Sequence, residues 1–381
     1  MGHSLSGGDY NERRCILPPN HVDIESEKHS TMKRILSTAT ILLGIFAIGM
    51  LDAPVSARDI YVDNIGGDDY HRGDSAVASN TGGGPCRTIA RALRLAQAGD
   101  RIILTDTGEP YRECITLSGP RHSGSARRPF VIVGNGATLD GSAPVHPDAW
   151  EHYEGDTYRF RPKRTSHQQL FLNARPLQRV SVDNNDLQLP ELLPFQWCLF
   201  DRHIYLNLKK PSADVPEESA AVPDEVLERA ATEGWRYVPQ QYDLSYAHHP
   251  VGMTLYDVRN VIIADVTVQG YQLDGINAHD KAFNAELLRV LSRGNGRSGV
   301  SIGGASRVKV TDTLLGNNGA AQLRTEGFCI AEVLRCEILA FTAPAVVRDG
   351  GEMSIDGLPV RERVLEGHID PPKAPPGAEA R

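Results

Sequence analysis

Aromatic residues are scarce in this chain, at 6% of 381 residues, and there is no basic surplus: 40 lysines and arginines stand against 48 acidic residues, a formal net charge of −8. Such a chain lacks the positive surface that general binding to nucleic acid or to an anionic membrane requires. The six cysteines form no CxxC pair and no Cys/His zinc spacing, which removes the common structural zinc motifs. Cys15 precedes the expected mature chain, leaving Cys86, Cys114, Cys198, Cys329 and Cys336, an odd number that permits at most two bridges and one free thiol. Cys329 and Cys336 are expected as small buried apolar residues and not as a bridge. Disorder is excluded by a hydrophobic content of 40%, while 36 glycines and 24 prolines supply many turns. That balance fits a turn-rich all-β architecture.

What the chain does have is a repeat. Met253-Thr254-Leu255, Ile276-Asn277-Ala278, Val300-Ser301-Ile302 and Leu323-Arg324-Thr325 follow one another at 23 or 24 residues. Each opens a short alternating run. A second β-rich run follows, then a turn holding Gly270, Gly294-Asn295-Gly296 or Asn317-Asn318-Gly319. A fixed period in this range marks a solenoid whose coils bury their apolar faces only by stacking. Asn295 and Asn318 are expected as a turn ladder bonding backbone groups.

Ahead of the repeat, Lys33-Arg34 precedes an apolar run over 35–51, and Val55-Ser56-Ala57 supplies small residues at cleavage positions. This is the pattern of a secretory signal peptide over 32–57; the alternative is an uncleaved anchor, since the run is slightly long. Residues 1–31 are read as a disordered lead or a mis-assigned start before Met32. The protein is therefore expected to be secreted, periplasmic or held at the cell surface, without membrane contact after cleavage, and monomeric. In 88–98, Ile89, Ala92, Leu93 and Ala96 fall on one helical face ahead of Gly99, predicting an amphipathic helix that covers the open end of the solenoid. With the first coils it makes a unit over 58–143. Residues 144–250 break the period and read as a β-rich insertion of short hairpins with a helix near 224–232. The coils resume over 251–366, and the proline-containing tail over 367–381 is expected to be disordered.

Tyr61-Val62-Asp63, Gly67-Asp68-Asp69, Gly84-Pro85-Cys86-Arg87-Thr88-Ile89, Ala98-Gly99-Asp100, Tyr111-Arg112-Glu113 and Gly134-Asn135-Gly136 through Asp140-Gly141 resemble the N-terminal signature of secreted right-handed parallel β-helix proteins of the pectate-lyase-like superfamily. The resemblance covers about 59–142 and implies an all-β fold: a right-handed parallel β-helix with a helical cap. It implies no single activity, because lyases, epimerases and hydrolases share the fold.

Alternation along a strand places Thr254, Asn277, Ser301 and Arg324 in one outward column, with Arg348 continuing it, and Tyr256, His279, Gly303 and Glu326 in a second. Coils lie about 4.8 Å apart, so His279 and Glu326 are expected roughly 10 Å apart across a notch floored by Gly303, with Asp280 and Lys281 at its edge. Two chemistries compete there. β-Elimination on a uronate needs a base, for which His279 or Lys281 serve, and a neutraliser, for which Arg324 or Arg348 serve. Glycoside hydrolysis needs two carboxylates, and Asp274, Asp280 and Glu326 are the candidates. Asn277, Asp280, Arg348 and Tyr256 are read as substrate-binding, and Glu326 joins the catalytic set. The plain alternative is an Arg324–Glu326 surface pair worth under about 1 kcal/mol on a non-catalytic binding module. The partner in either case is an acidic polysaccharide. No cofactor is required by this pattern. Asp63, Asp68, Asp69 and Asp74 are of the ligand type calcium takes, although Asp- and Gly-rich turns need no metal. His248-His249 lacks a partner spacing for a metal.

Overall fold

A computed structural model describes residues 57–183, 187–210 and 224–372. The expected signal peptide, apart from Ala57, and the lead before it lie outside the described residues. Six strands build the face on which the expected site residues fall: β1 (Ile115–Ser118), β2 (Met253–Tyr256), β3 (Asp274–Ala278), β4 (Ser298–Ile302), β5 (Ala321–Leu334) and β6 (Val346–Ile355). They pair in parallel in that order, in register Ile115, Met253, Ile276, Val300, Leu323, Val346. Every one of these six side chains is buried, and together they form one interior column. Further parallel ladders run through Phe130–Val133, Arg259–Ala264, Phe283–Leu288 and Arg307–Thr311, and through Thr138–Asp140, Thr267–Gln269, Leu291–Arg293, Leu314–Gly316 and Glu337–Leu339. The result is an all-β parallel solenoid of about four turns, with two α-helices among the described residues.

Why the chain coils this way is visible at its turns. Asn295 Oδ1 accepts from the Tyr271 amide at 3.1 Å, and Asn318 Oδ1 accepts from the Asn295 amide at 2.9 Å. Gln322 Oε1 closes the series on the Asn318 amide at 3.1 Å. All three side chains are fully buried, so each satisfies backbone donors that water cannot reach. The ladder expected from the spacing is present. On another edge, Asp265, Arg289, Asp312, Arg335 and Asp356 occupy the left-handed region, with φ from 47° to 56°. Arg289 Nε meets Asp265 Oδ1 and Arg335 Nε meets Asp312 Oδ1, each at 2.6 Å.

Helix α1 (Ile89–Leu95) forms where its apolar spacing predicts. Thr88 Oγ1 caps the Arg91 amide, and Ile89, Ala92 and Leu93 are buried. Between Thr138–Asp140 and β2 the chain makes two four-stranded antiparallel sheets and α2 (Asp224–Glu233). Their own core is built on Trp150, Phe160, Phe195 and Trp197. All five described cysteines are free, and Cys329 and Cys336 are buried as expected. The tail differs from its expected disorder over Gly367 to Pro372: Ile369 exchanges both backbone hydrogen bonds with Ile338 and covers the free edge of Glu337–Leu339. The four acidic side chains considered for calcium serve nearby groups instead. Asp63 accepts from the Ile65 and Gly66 amides, Asp68 from Tyr70, Asp69 from Arg87 and Thr88, and Asp74 pairs with Arg72. Among the described residues no group of three or more such side chains gathers as metal ligands would.

Candidate functional site

Strand alternation turns Asn277, Ser301 and Arg324 outward as consecutive Cα partners on β3, β4 and β5. Arg348 does not continue this column. The partner of Arg324 is Val347, and Arg348 lies beside Thr325. The final step is 23 residues, not 24, and a one-residue shift changes the face. Arg348 instead donates to the carbonyls of Gly351, Arg361 and Glu362 and fastens the C-terminal segment.

The expected open notch is closed. His279 and Glu326 reach across Gly303 until Nδ1 and Oε1 are 2.8 Å apart. Gly303 permits this contact, since a Cβ there would lie 2.6 Å from His279 Nδ1 and 2.9 Å from Glu326 Cγ. On the other side of the ring, His279 Nε2 stands 2.8 Å from Ser301 Oγ. A carboxylate only accepts, so in the neutral ring Nδ1 carries the proton and Nε2 accepts from the Ser301 hydroxyl. Ser301 itself is fully buried.

Charges continue on both sides of this pair. Arg324 donates to Asp349 Oδ2 at 2.8 Å and approaches Glu326 Oε2 at 3.4 Å, and Arg363 holds Asp349 Oδ1 at 2.9 Å. Arg324 Nε is buried without a hydrogen-bond partner among the described residues, a costly state for a donor unless a ligand completes it. Toward the start of the strands, Asp274 is fully buried and accepts from Arg297, from Ser298 Oγ at 2.6 Å and from Asn277 Nδ2 at 2.9 Å. Burial alone would raise its carboxyl. The Arg297 guanidinium and the two hydrogen bonds outweigh that and hold it below the ordinary carboxylate range.

The segment between the two runs of coils adds a histidine that the repeat could not reveal. The His167 carbonyl packs directly on Gly296, where any side chain would collide with it. Burial lowers the His167 imidazole, and Arg297 acts in the same direction. Asp349 was legible, because it follows Glu326 by 23 residues and pairs with it in register. Of the other expected site residues, Tyr256 is 53% exposed, and Asp280 and Lys281 are exposed at the turn after β3. No side-chain hydrogen bond or ion pair joins these three to the cluster. His248 Nδ1 bonds Tyr246 Oη at 2.9 Å.

No protein-family model matches the chain, and no curated protein matches it. Among solved structures, it is similar to XylC in complex with xylose at 12% identity and a TM-score of 0.36, over 78% of this chain and 69% of that one. It is also similar to the GH136 lacto-N-biosidase from Eubacterium ramulus at 9% identity and a TM-score of 0.33, over 80% of this chain and 55% of that one. Among the described residues no helix is long and apolar enough to cross a membrane.

Proposed function

We propose that this chain is a secreted, monomeric, right-handed β-helix protein of the pectate-lyase-like kind, with α1 as its cap, that cleaves an acidic polysaccharide by β-elimination on the β2 to β6 face. The observation that carries the reading is the placement of His279 between Glu326 and Ser301, one column from an Arg324 whose Nε–H has no partner among the described residues. In the proposed step Nε2 of His279, in place of its bond to Ser301, takes the proton beside the uronate carboxylate. Arg324 neutralises that carboxylate, the bond from the ring to the glycosidic oxygen breaks, and a ring double bond forms as the leaving oxygen takes up a proton. Glu326 holds the imidazole and stabilises its charged form.

A second reading has its own support. Glu326 and Asp349 are register partners on adjacent strands joined by Arg324. Adjacent strands are about 4.8 Å apart, which suits the roughly 5 Å carboxyl separation of retaining glycoside hydrolysis. A panel of acidic and neutral polysaccharides, assayed for unsaturated uronate absorbance and for new reducing ends, separates the two. Unsaturated product that disappears in both His279→Ala and Arg324→Ala supports elimination. Reducing ends without unsaturation, lost in Asp349→Asn, move the assignment to hydrolysis, and binding without product reduces the face to a carbohydrate-binding module.

A further inference from the structure

A cleft of about 710 Å³, lined by none of the His279 cluster, lies between the segment around Phe171 to Ser181 and the coil turns at Gly270, Gly294 and Gly319. Among the described residues, three guanidinium-bearing side chains line it, Arg175, Arg179 and Arg293, against a single carboxylate, Asp140. Asp140 is already engaged by the Ser142 amide at 2.7 Å, by Gln269 Nε2 at 3.2 Å and by Arg112 at 3.9 Å. Arg175 pairs with Glu225 at 2.8 Å. The other two are engaged by neutral groups. Arg293 donates only to the neutral Gln269 Oε1, at 2.9 Å, and Arg179 lies over the Trp197 ring at 5.4 Å. Neither has a carboxylate partner among the described residues.

We propose that this cleft binds an anionic sugar, its carboxylate or sulfate group seated between Arg179 and Arg293. A guanidinium presents a planar fork of donors that matches either anion in a bidentate way. Phe341, 69% exposed at the edge of the cleft, supplies an apolar face for the ring. Arg179 and Arg293 are both exposed at the cleft, so an anion can reach their guanidinium groups from solvent. The inference shares with the function proposed above only the idea of an acidic sugar ligand, and it assigns the cleft no chemistry.

The test is calorimetric titration of the full chain with trigalacturonate, with a sulfated disaccharide and with neutral xylotriose, followed by the same titrations on Arg293→Gln and Arg179→Gln. Thermal melts of both variants verify folding, and Arg293 is exposed, so its replacement should leave the fold intact. At least a tenfold loss of anionic-sugar affinity in Arg293→Gln is the expected result, and the better of the two anions identifies the group. Failure of both anionic probes to bind, or affinity unchanged by Arg293→Gln, overturns the proposal. Arg293-dependent binding in a protein without polysaccharide cleavage would retire the proposed elimination and leave the cleft assignment standing.

Discussion

His279 and Glu326 sit two coils apart, yet their side chains are in direct contact above Gly303, Nδ1 to Oε1 at 2.8 Å. The contact depends on the residue between them having no side chain. Gly303→Ala should displace the imidazole or the carboxylate, because the new Cβ would lie under 3 Å from both. We expect a loss of roughly 1–3 kcal/mol in stability from the crowding. Any activity at this face should fall further than the melting temperature suggests. Activity and thermal melts measured on the same preparation check this, and wild-type turnover in Gly303→Ala would disconnect the pair from function.

Buried His122 gives a pH dependence with a definite sign. Its Nδ1 accepts from the Ser118 amide at 2.9 Å, which places the ring proton on Nε2, 3.0 Å from the Leu93 carbonyl. Burial lowers this imidazole from its usual 6.5, outweighing the Leu93 contact. The unfolded chain therefore binds the proton more readily than the native one. Stability from this site should be full above about pH 6.5 and decline as pH falls through that value toward the lowered folded one. Denaturant melts at pH 7.5, 6 and 5 should show the decline, and His122→Gln should flatten part of it; His167, His248 and His249 shift in the same direction.

Asn295→Leu should cost about 1–3 kcal/mol by leaving the buried Tyr271 amide unpaired, a clear fall in melting temperature. Replacement of exposed Arg289 by Ala should cost under about 1 kcal/mol. Equal losses in the two variants would mean that the asparagine ladder holds no more of the fold than a surface ion pair.

The thiols should behave independently of redox conditions. With Cys86, Cys198, Cys329 and Cys336 buried and Cys114 exposed, a thiol reagent should label Cys114 first in the native protein and the other four only after unfolding. Melts with and without reductant should coincide. A reductant-dependent melting temperature would show that a bridge had formed.

The interior column was legible because buried strand residues recur with the coil, and four of its members could be named from spacing alone. The failure at Arg348 has the same origin as that success. A repeat whose step is 23 or 24 residues leaves each new coil uncertain by one position, and on a strand one position changes the face. Side-chain reach was illegible for another reason: backbone spacing puts His279 and Glu326 far apart, and only rotamers bring them together over a glycine. His167, Arg179 and Arg363 reach their positions through long-range packing, which no local period encodes. Asp349, by contrast, obeys the period, and extending the second column by one step finds it.

The edge column of Asp265, Arg289, Asp312, Arg335 and Asp356 alternates in sign from coil to coil, and alternation carries parity. Excising 289–311 would bring Asp265 against Asp312, acid on acid, whereas excising 289–334 would bring Asp265 against Arg335 and preserve the order of charges. Each exposed contact contributes little, under about 1 kcal/mol. Along that edge the solenoid nevertheless distinguishes odd from even, so coils should be gained or lost there more readily in pairs than singly.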